Sequence, residues 1–302
     1  MKKRRPVILL LLLVILALLA AVLFLLTGNE EPEIAAPSVP RVSADTISAM
    51  EWTNSGEAVR LVKKDGKWHW AEDDRFPVDQ LKAEELANVF TSLSSTAYIA
   101  ADEVANEKDY GLHFPLRTLA AEDETGSRIT YEIGSQSPLN SSYFYTRVNG
   151  SDVYLVNRPI YDAFEYGIYD IIQTEEIPAF VNISSVKFET ADSHAVYTKT
   201  DDGNGWLKNG IEADTAAVNA VVKQITGLEW AYCVHFAPDE AERSEYGTDT
   251  PTCTVTVTHE GEDFILHLGN TAAEYTYAKL DGSDMVYLID SAAADAFIGA
   301  SM

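Results

Sequence analysis

The stretch Asp65-Gly66-Lys67-Trp68-His69-Trp70 combines a tight turn with the start of a strand. An Asp-Gly pair suits the left-handed backbone of a two-residue hairpin turn, and the alternating aromatic residues that follow favour a β-strand. A second turn, Asp201-Asp202-Gly203-Asn204-Gly205, leads into Trp206 in the second half of the chain. The same element at two distant places predicts an internal duplication.

The landmarks around this hairpin recur later in the chain, in the same order and at a nearly constant offset. The pairs are Trp68 and Trp206, Asp79 and Asp214, Leu93 and Leu228, Tyr98 and Tyr232, Tyr110-Gly111 and Tyr246-Gly247, Pro115 and Pro251, Ile133-Gly134 and Leu268-Gly269, Tyr143 and Tyr275, Tyr145 and Tyr277, Tyr154-Leu155 and Tyr287-Leu288, and Phe164 and Phe297. A unit of this length is large enough to enclose its own hydrophobic core.

Each unit has the pattern of antiparallel β meanders with one main helix packed on them. Asp79 and Asp214 are suitable N-cap residues, and an apolar stripe at helical spacing follows each of them. The stripes are Leu86, Val89, Phe90 and Leu93 in the first unit, and Val221, Ile225 and Leu228 in the second. Segments rich in β-forming residues flank each helix. The sequence therefore predicts an α+β fold of two tandem repeats, residues 45–175 and 176–302.

The first 26 residues have the pattern of a membrane anchor. A basic head, residues 2–5, precedes an unbroken apolar run of twenty residues, 7–26. A helix of that length spans about 30 Å, the thickness of the bilayer core, and the basic end favours the cytoplasm. We expect a single-pass anchor with the bulk of the chain extracellular; a cleaved secretory signal is the alternative. Residues 27–44, with three prolines, predict an extended spacer.

The net charge limits the classes of partner, and the two cysteines leave the question of a disulfide open. The basic head holds four of the 22 basic and none of the 47 acidic residues, so the remainder carries a formal charge of −29. Such a surface repels nucleic acid, which we exclude as a partner. Cys233 and Cys253 both lie in the second repeat. A disulfide between them and two buried thiols are both compatible with the sequence.

No catalytic, cofactor or metal site is predicted. Ser184 and Lys187 have the spacing of a serine–lysine pair, but an alternating strand points them to opposite faces. The Asp201–Gly205 turn lacks the ligand pattern of a calcium loop. The carboxylate clusters 102–103 and 122–124 have no geometry in the sequence that favours hydrolysis over a solvated surface. The histidines show no zinc-type spacing; they are His69, His113, His194, His235, His259 and His267.

Aromatic residues crowd one stretch of repeat one, namely Tyr143, Phe144, Tyr145, Tyr161, Tyr166 and Tyr169. Some of these side chains are expected to fill the core. Exposed tyrosines favour sugar stacking and protein interfaces. Tyr166 and Tyr169, which lie near the repeat junction, are the first candidates for contact with a ligand or partner, and Tyr161 is the third.

The Trp after a hairpin turn, the Asp-capped helix, the Tyr-Gly before a Pro, the Ile/Leu-Gly and the late Tyr-Leu resemble the bacterial domain-of-unknown-function family 4340 (DUF4340). The resemblance covers both repeats, residues 45–300, although Thr248 stands where repeat one has Leu112. It implies a membrane-anchored protein, often encoded beside export-type ABC transporter components, and it supplies no catalytic residues.

These observations favour a non-enzymatic, extracytoplasmic accessory or scaffold protein, auxiliary to an ABC-type transport or envelope system. The alternative is a binding protein for cell-wall glycan or peptide that uses a cleft between the repeats. A hydrolase is less favoured because its motifs are missing. A duplicated surface suits bivalent contact, and the sequence leaves the oligomeric state open.

Overall fold

A computed structural model describes residues 38–43, 46–54 and 56–302. The predicted membrane helix at 7–26, its basic head and the first part of the predicted spacer lie outside these residues. Within the described ranges, no helix has the combined length and apolar character needed to cross a membrane.

The described chain forms two antiparallel sheets, one in each repeat. The first contains β1 (Ile47–Asn54), β2 (Glu57–Lys64), β3 (Lys67–Trp70), β4 (Ser95–Ile99), β5 (Arg117–Asp123), β6 (Arg128–Gln136), β7 (Tyr143–Val148) and β8 (Val153–Asn157). The second contains β9 (Ile183–Glu189), β10 (His194–Lys199), β11 (Trp206–Lys208), β12 (Ile211–Glu212), β13 (Tyr232–Phe236), β14 (Cys253–His259), β15 (Glu262–Ala272), β16 (Tyr275–Leu280) and β17 (Met285–Asp290).

The helices of this region pack on the sheets or connect their strands. They are α1 (Gln80–Thr91), α2 (Pro159–Asp162), α3 (Thr215–Thr226), α4 (Glu240–Tyr246) and α5 (Ser291–Ala300). The mixed α+β class predicted from the sequence is confirmed. The sequence pattern did not predict β4, β12, β13 or α4, because these elements are short or lack a clear apolar period.

The strand orders of the two sheets show that the duplication is a duplication of the fold. The first sheet has the order β3-β2-β1-β5-β6-β7-β8-β4, and the second has the order β12-β11-β10-β9-β14-β15-β16-β17-β13. Apart from the added edge strand β12, the two orders correspond strand for strand. In the order of the chain, α1 lies between β3 and β4, and α3 lies between β12 and β13. Strands β4 and β13 form the same edge of their respective sheets.

The Tyr-Gly and Ile/Leu-Gly landmarks meet in space at one tight contact. A Cβ atom on Gly134 would lie 2.1 Å from the backbone oxygen of Tyr110, and one on Gly269 would lie 2.0 Å from that of Tyr246. Both glycines lie where the register of β6 or β15 shifts at a β-bulge. Only glycine allows this backbone approach, so the repeated landmarks have a steric cause.

The main helices are capped as the sequence predicts. The side chain of Asp79 accepts hydrogen bonds from the amides of Leu81 (3.0 Å) and Lys82 (3.2 Å). Asp214 accepts from the amides two and three residues later at 2.9 Å and 3.2 Å. These contacts satisfy the free N–H groups of the first turn. Each cap fixes where its helix begins relative to the preceding strand.

The two main helices differ in how fully their apolar faces are covered. Leu86 and Phe90 of α1 are buried, whereas Val221 of α3 is only half-buried. Ile225 of α3 is buried, so the helix still packs on its sheet. Val221 of α3 therefore leaves apolar surface accessible that its counterpart Leu86 in repeat one does not.

Residues 38–43, which the composition assigns to the spacer, pack on repeat one. Val39 and Val42 are buried in its core, and the hydroxyl of Tyr131 donates to the backbone oxygen of Pro40 at 2.9 Å. The segment Val39-Pro40-Arg41-Val42 matches Ile177-Pro178-Ala179-Phe180 at the start of repeat two. Repeat one therefore begins before residue 45, with the same apolar-Pro-x-apolar element as repeat two.

The two cysteines are free and buried. Cys233 lies on β13 and Cys253 on β14, four strand positions apart in the sheet. At about 4.8 Å per strand their separation is roughly 19 Å, far beyond the reach of a disulfide. Burial raises the pKa of the Cys233 thiol to about 12 and that of Cys253 to about 11. The structure thus favours buried thiols over the bridge.

Candidate functional site

A groove runs beside the main helix of repeat one and encloses about 320 Å³. Its residues come from α1 and from the chain that follows α2. They are Lys82, Glu85, Leu86, Val89, Ala163, Tyr166, Asp170 and Ile171. The floor is apolar and the rim carries both signs of charge. This combination resembles the lining of small-ligand sites, where a few polar groups orient a ligand over an apolar surface.

One wall of the groove belongs to a segment that we call the strap, residues 167–173. The amide of Asp79 donates to the backbone oxygen of Ile171 at 2.8 Å. The amide of Gln173 donates to the backbone oxygen of Pro77 at 2.7 Å. The strap therefore pairs with the chain just before α1, as an added strand pairs with a sheet edge.

Tyr166 is the exposed aromatic residue of this groove. The indole N–H of Trp52 donates to the backbone oxygen of Tyr166 at 2.7 Å, which fixes the main chain. The ammonium group of Lys82 donates to the backbone oxygen of Asp170 at 2.9 Å. The Tyr166 side chain is 49% exposed. A fixed backbone with an exposed ring is suited to stacking on a ligand.

The structure does not bring the three candidate tyrosines together. The ring of Tyr161 stacks on Phe144 at 4.5 Å between centroids, and the guanidinium of Arg117 lies 4.1 Å from the Tyr161 ring. Tyr169 lies at the repeat junction, with its ring 5.7 Å from that of Phe76 in repeat one and 6.0 Å from that of His235 in repeat two. Tyr166 alone of the three lines the groove beside α1.

Repeat two has a groove of about 290 Å³ at the equivalent place, and its lining is almost wholly apolar. Its residues are Val186, Phe188, Tyr197, Ala217, Val218, Val221, Val222, Ala296, Gly299 and Ala300. Ala217 takes the place of Lys82, and Gly299 takes the place of Tyr166. A second cavity of about 410 Å³, lined by 208–214, adjoins it and shares Tyr197, Ala217 and Val218. The two grooves are equivalent in position and different in chemistry.

Side chains pack closely at the contacts between the repeats. The rings of Phe76 and Phe236 lie edge to face, 5.6 Å apart. The amide of Glu175 donates to the hydroxyl of Tyr287 at 2.9 Å, and the indole of Trp230 donates to the Glu175 backbone oxygen at 2.8 Å. Each cavity described here is lined by one repeat. The alternative function predicted from the sequence needs a ligand cleft between the repeats. At these residues the repeats are in packed contact and leave no such cleft.

The serine–lysine pair lies on strand β9, as the alternation predicts. The hydroxyl of Ser184 donates to the backbone oxygen of Thr258 at 3.3 Å. The ammonium of Lys187 pairs with Glu189 at 2.7 Å. Each side chain is engaged separately, so the pair has no shared proton path.

The acidic candidates have structural partners. Asp202 accepts from the Thr200 hydroxyl at 2.6 Å within the hairpin turn, and this bond lowers the pKa of its carboxyl. Glu122 lies on β5 and pairs with Arg60 (2.8 Å) and Arg128 (2.6 Å), Arg60 contributing most to its lowered pKa. In the described ranges, no three His, Cys, Asp or Glu side chains are grouped so that they could hold a metal ion.

One cluster has the composition of a catalytic triad, and the sequence pattern did not reveal it. Nδ1 of His267 lies 3.1 Å from Oγ1 of Thr254, and Nε2 of the same ring lies 3.0 Å from Oδ1 of Asp281. Thr254 and His267 are cross-strand partners on β14 and β15. None of the three lines the cavities described above. The arrangement therefore fits cross-strand pairing on a sheet face better than acyl transfer.

The fold and the two grooves define a tandem-repeat α+β protein with one groove beside each main helix. The family model described as Domain of unknown function (DUF4340) matches residues 68–231 and, in a second overlapping segment, residues 206–299. The chain belongs to this family, and the two matches agree with two tandem copies. No curated protein and no solved structure matches the chain.

Proposed function

We propose that this chain is a membrane-anchored, extracytoplasmic accessory protein that binds another protein of a transport or envelope system. The observation that carries the proposal is the recurrence of a groove beside the main helix in both repeats. Two linked sites on one chain increase the effective concentration of the second contact once the first has formed. The apolar run at 7–26 and the family resemblance support the membrane location and the link to an ABC-type transporter.

The proposal includes no catalytic step for this chain. Its acidic surface, with a formal charge of −29 outside the basic head, supports a preference for neutral or cationic partner surfaces.

Affinity capture of the full chain extracted in detergent tests this function. We expect recovery of one membrane or envelope protein in stoichiometric amount. A capture that yields no stoichiometric partner from native membranes, under conditions that preserve known complexes, would refute the proposal.

A second candidate function is the binding of wall glycan or peptide, and the exposed Tyr166 favours it. Tyr166 lines the groove together with Lys82 and Glu85, which carry a hydrogen-bond donor and an acceptor. Retention of the full chain on purified wall polymer, lost in Tyr166→Ala and kept in Tyr98→Ala, would support this alternative. Tyr98 is a matched control because it is also an exposed tyrosine of repeat one, at 38%.

A further inference from the structure

The strap contributes buried apolar surface to repeat one as well as backbone hydrogen bonds. Ile171 is 1% exposed and Ile172 is 4% exposed. Ile172 also forms an antiparallel bridge with Val78. Burial of two such side chains stabilises a fold by about 3–6 kcal/mol before the entropy of ordering is subtracted. Repeat one therefore depends on a segment outside its meander to cover its main helix.

The corresponding edge of repeat two has the same backbone groups. In the register that matches Asp79 with Asp214, Glu212 corresponds to Pro77. The amide of Ala213 donates to the backbone oxygen of Trp206 at 2.9 Å. Because an antiparallel ladder alternates the direction of its backbone groups, those of Glu212 point away from β11.

The amide of Asp214 is the clearest difference between the two edges. Its counterpart, the amide of Asp79, donates to Ile171 in the strap. For the Asp214 amide, the part of the chain that the structure describes offers no hydrogen-bond partner. The edge 212–214 thus presents an acceptor at Glu212 and a donor at Asp214, in the spacing that the strap uses in repeat one.

The apolar groove of repeat two begins directly at this edge. The cavity along 208–214 and the groove beside α3 share Tyr197, Ala217 and Val218. Ile211 on the edge strand is 74% exposed. An extended chain paired with β12 would place alternate side chains toward the apolar groove beside α3, while Lys208, Asn209 and Glu212 line the adjoining cavity with polar groups.

We propose that the 212–214 edge and the adjoining groove of repeat two bind an extended segment of a partner protein by strand addition. The Asp214 amide donates to a backbone oxygen of that segment, and the Glu212 oxygen accepts from an amide two residues further along it. This deepens the proposed function, on which it rests, by assigning the site and the form of the partner segment.

The partner segment has the chemistry of the strap. It carries two consecutive branched apolar residues at the places of Ile171 and Ile172, without charge on the side chain that enters the groove. A second copy of this chain is disfavoured as the occupant, because its own strap is buried in repeat one. Strand addition of this kind takes affinity from backbone pairing and specificity from alternate side chains.

A grafted strap tests the site in the full chain. A copy of residues 167–174 is joined to Met302 through a short Gly-Ser linker, which supplies a millimolar effective concentration. We expect hydrogen exchange at the Asp214 amide to slow by at least about tenfold. The matched control is the same graft with the two isoleucines that copy Ile171 and Ile172 replaced by aspartate, which should leave the exchange rate unchanged.

Capture experiments then connect the site to a partner. The graft and the variant Ala217→Trp, which fills the groove, should each reduce partner recovery at least about tenfold. The aspartate graft and Ala216→Trp, on an exposed position outside both cavities, should not. Self-association blocked by the same variants in sedimentation would identify a second copy as the occupant and would overturn the assignment to a partner protein.

The two proposals fail in different ways. Unchanged exchange at Asp214 in the grafted chain would refute strand addition at this edge, whatever the capture shows. A partner that is still recovered with Ala217→Trp would refute this site and leave the accessory function intact. If the unmodified chain captures no partner, the proposed accessory function is itself refuted.

Discussion

Substitution of the glycine at either bulge gives the most direct test of how this fold is stabilised. Gly269→Ala would place a Cβ atom 2.0 Å from the backbone oxygen of Tyr246, and Gly134→Ala would place one 2.1 Å from that of Tyr110. Such contacts normally stay beyond about 3.0 Å, so about 1 Å of overlap must be relieved. The opposing atom is backbone, and its movement would disturb both the bulge and the preceding turn.

The expected loss is at the upper end of the range for overpacking. Inserting an atom into a close-packed region costs typically about 1–3 kcal/mol, and here a side-chain rotation cannot relieve the contact. We expect about 3 kcal/mol for either alanine variant. For a cooperative unit of this size, that corresponds to a fall in Tm of roughly 10 °C. The duplication predicts nearly equal losses in the two repeats.

Gly299→Ala is the matched control, because a Cβ atom there would meet nothing within 4 Å. Gly299 lies in helix α5, where alanine is favoured over glycine by about 0.5–1 kcal/mol. Circular dichroism of the full chain in detergent would follow thermal and urea unfolding of all three variants. Losses below about 0.5 kcal/mol for both bulge variants, as small as those of ordinary surface substitutions, would refute the steric account of the repeated landmarks.

Three further predictions concern the thiols, an ion pair and the repeat junction. Iodoacetamide at pH 8.5 should leave Cys233 and Cys253 unmodified in the folded chain and label both in urea, as mass spectrometry would show; labelling in the folded chain would contradict their burial. Because their folded pKa values of about 12 and 11 lie above the ordinary 9.0, stability should fall as the pH rises past about 9. Glu122→Gln should cost about 1 kcal/mol at pH 7, and the difference from wild type should shrink as the pH falls below the ordinary 4.5 toward the lowered folded pKa of Glu122; Glu124→Gln, an exposed neighbour, should unfold like wild type in urea over the same pH range. Phe236→Ala should cost about 2 kcal/mol and broaden or split the calorimetric transition, because it removes a ring contact between the repeats; a single, unshifted transition would show that the junction does not couple them.

The three candidate tyrosines show that closeness in the sequence does not predict a shared surface. Tyr161, Tyr166 and Tyr169 are neighbours in the sequence, yet one stacks in repeat one, one lines a groove and one packs at the junction. They are separated because Tyr161 lies on α2, Tyr166 in the loop that follows it and Tyr169 in the strap. Sequence spacing predicts a shared surface only within one helix or strand.

The sequence pattern at Asp214 predicts the start of a helix and gives no indication of an edge that could bind another chain. Asp79 and Asp214 are matched as N-caps, and the cap contacts confirm that role. The backbone amide of each aspartate has a second role that side-chain identity does not encode. Only the pairing of Asp79 with the strap reveals what the amide of Asp214 is free to bind.

Local patterns in the amino-acid sequence are enough to establish the duplication, the α+β class and the main helices with their aspartate caps. These follow from turn chemistry, from the alternation of apolar residues and from glycines that no other residue can replace. Long-range packing was needed to show that Val39 and Val42 belong to repeat one, that the two thiols lie four strands apart, and that the strap pairs with the edge before α1 while no described residue pairs in this way with the matching edge before α3. These features depend on contacts between residues far apart in the chain, and burial of a given side chain is set by whatever segment reaches it.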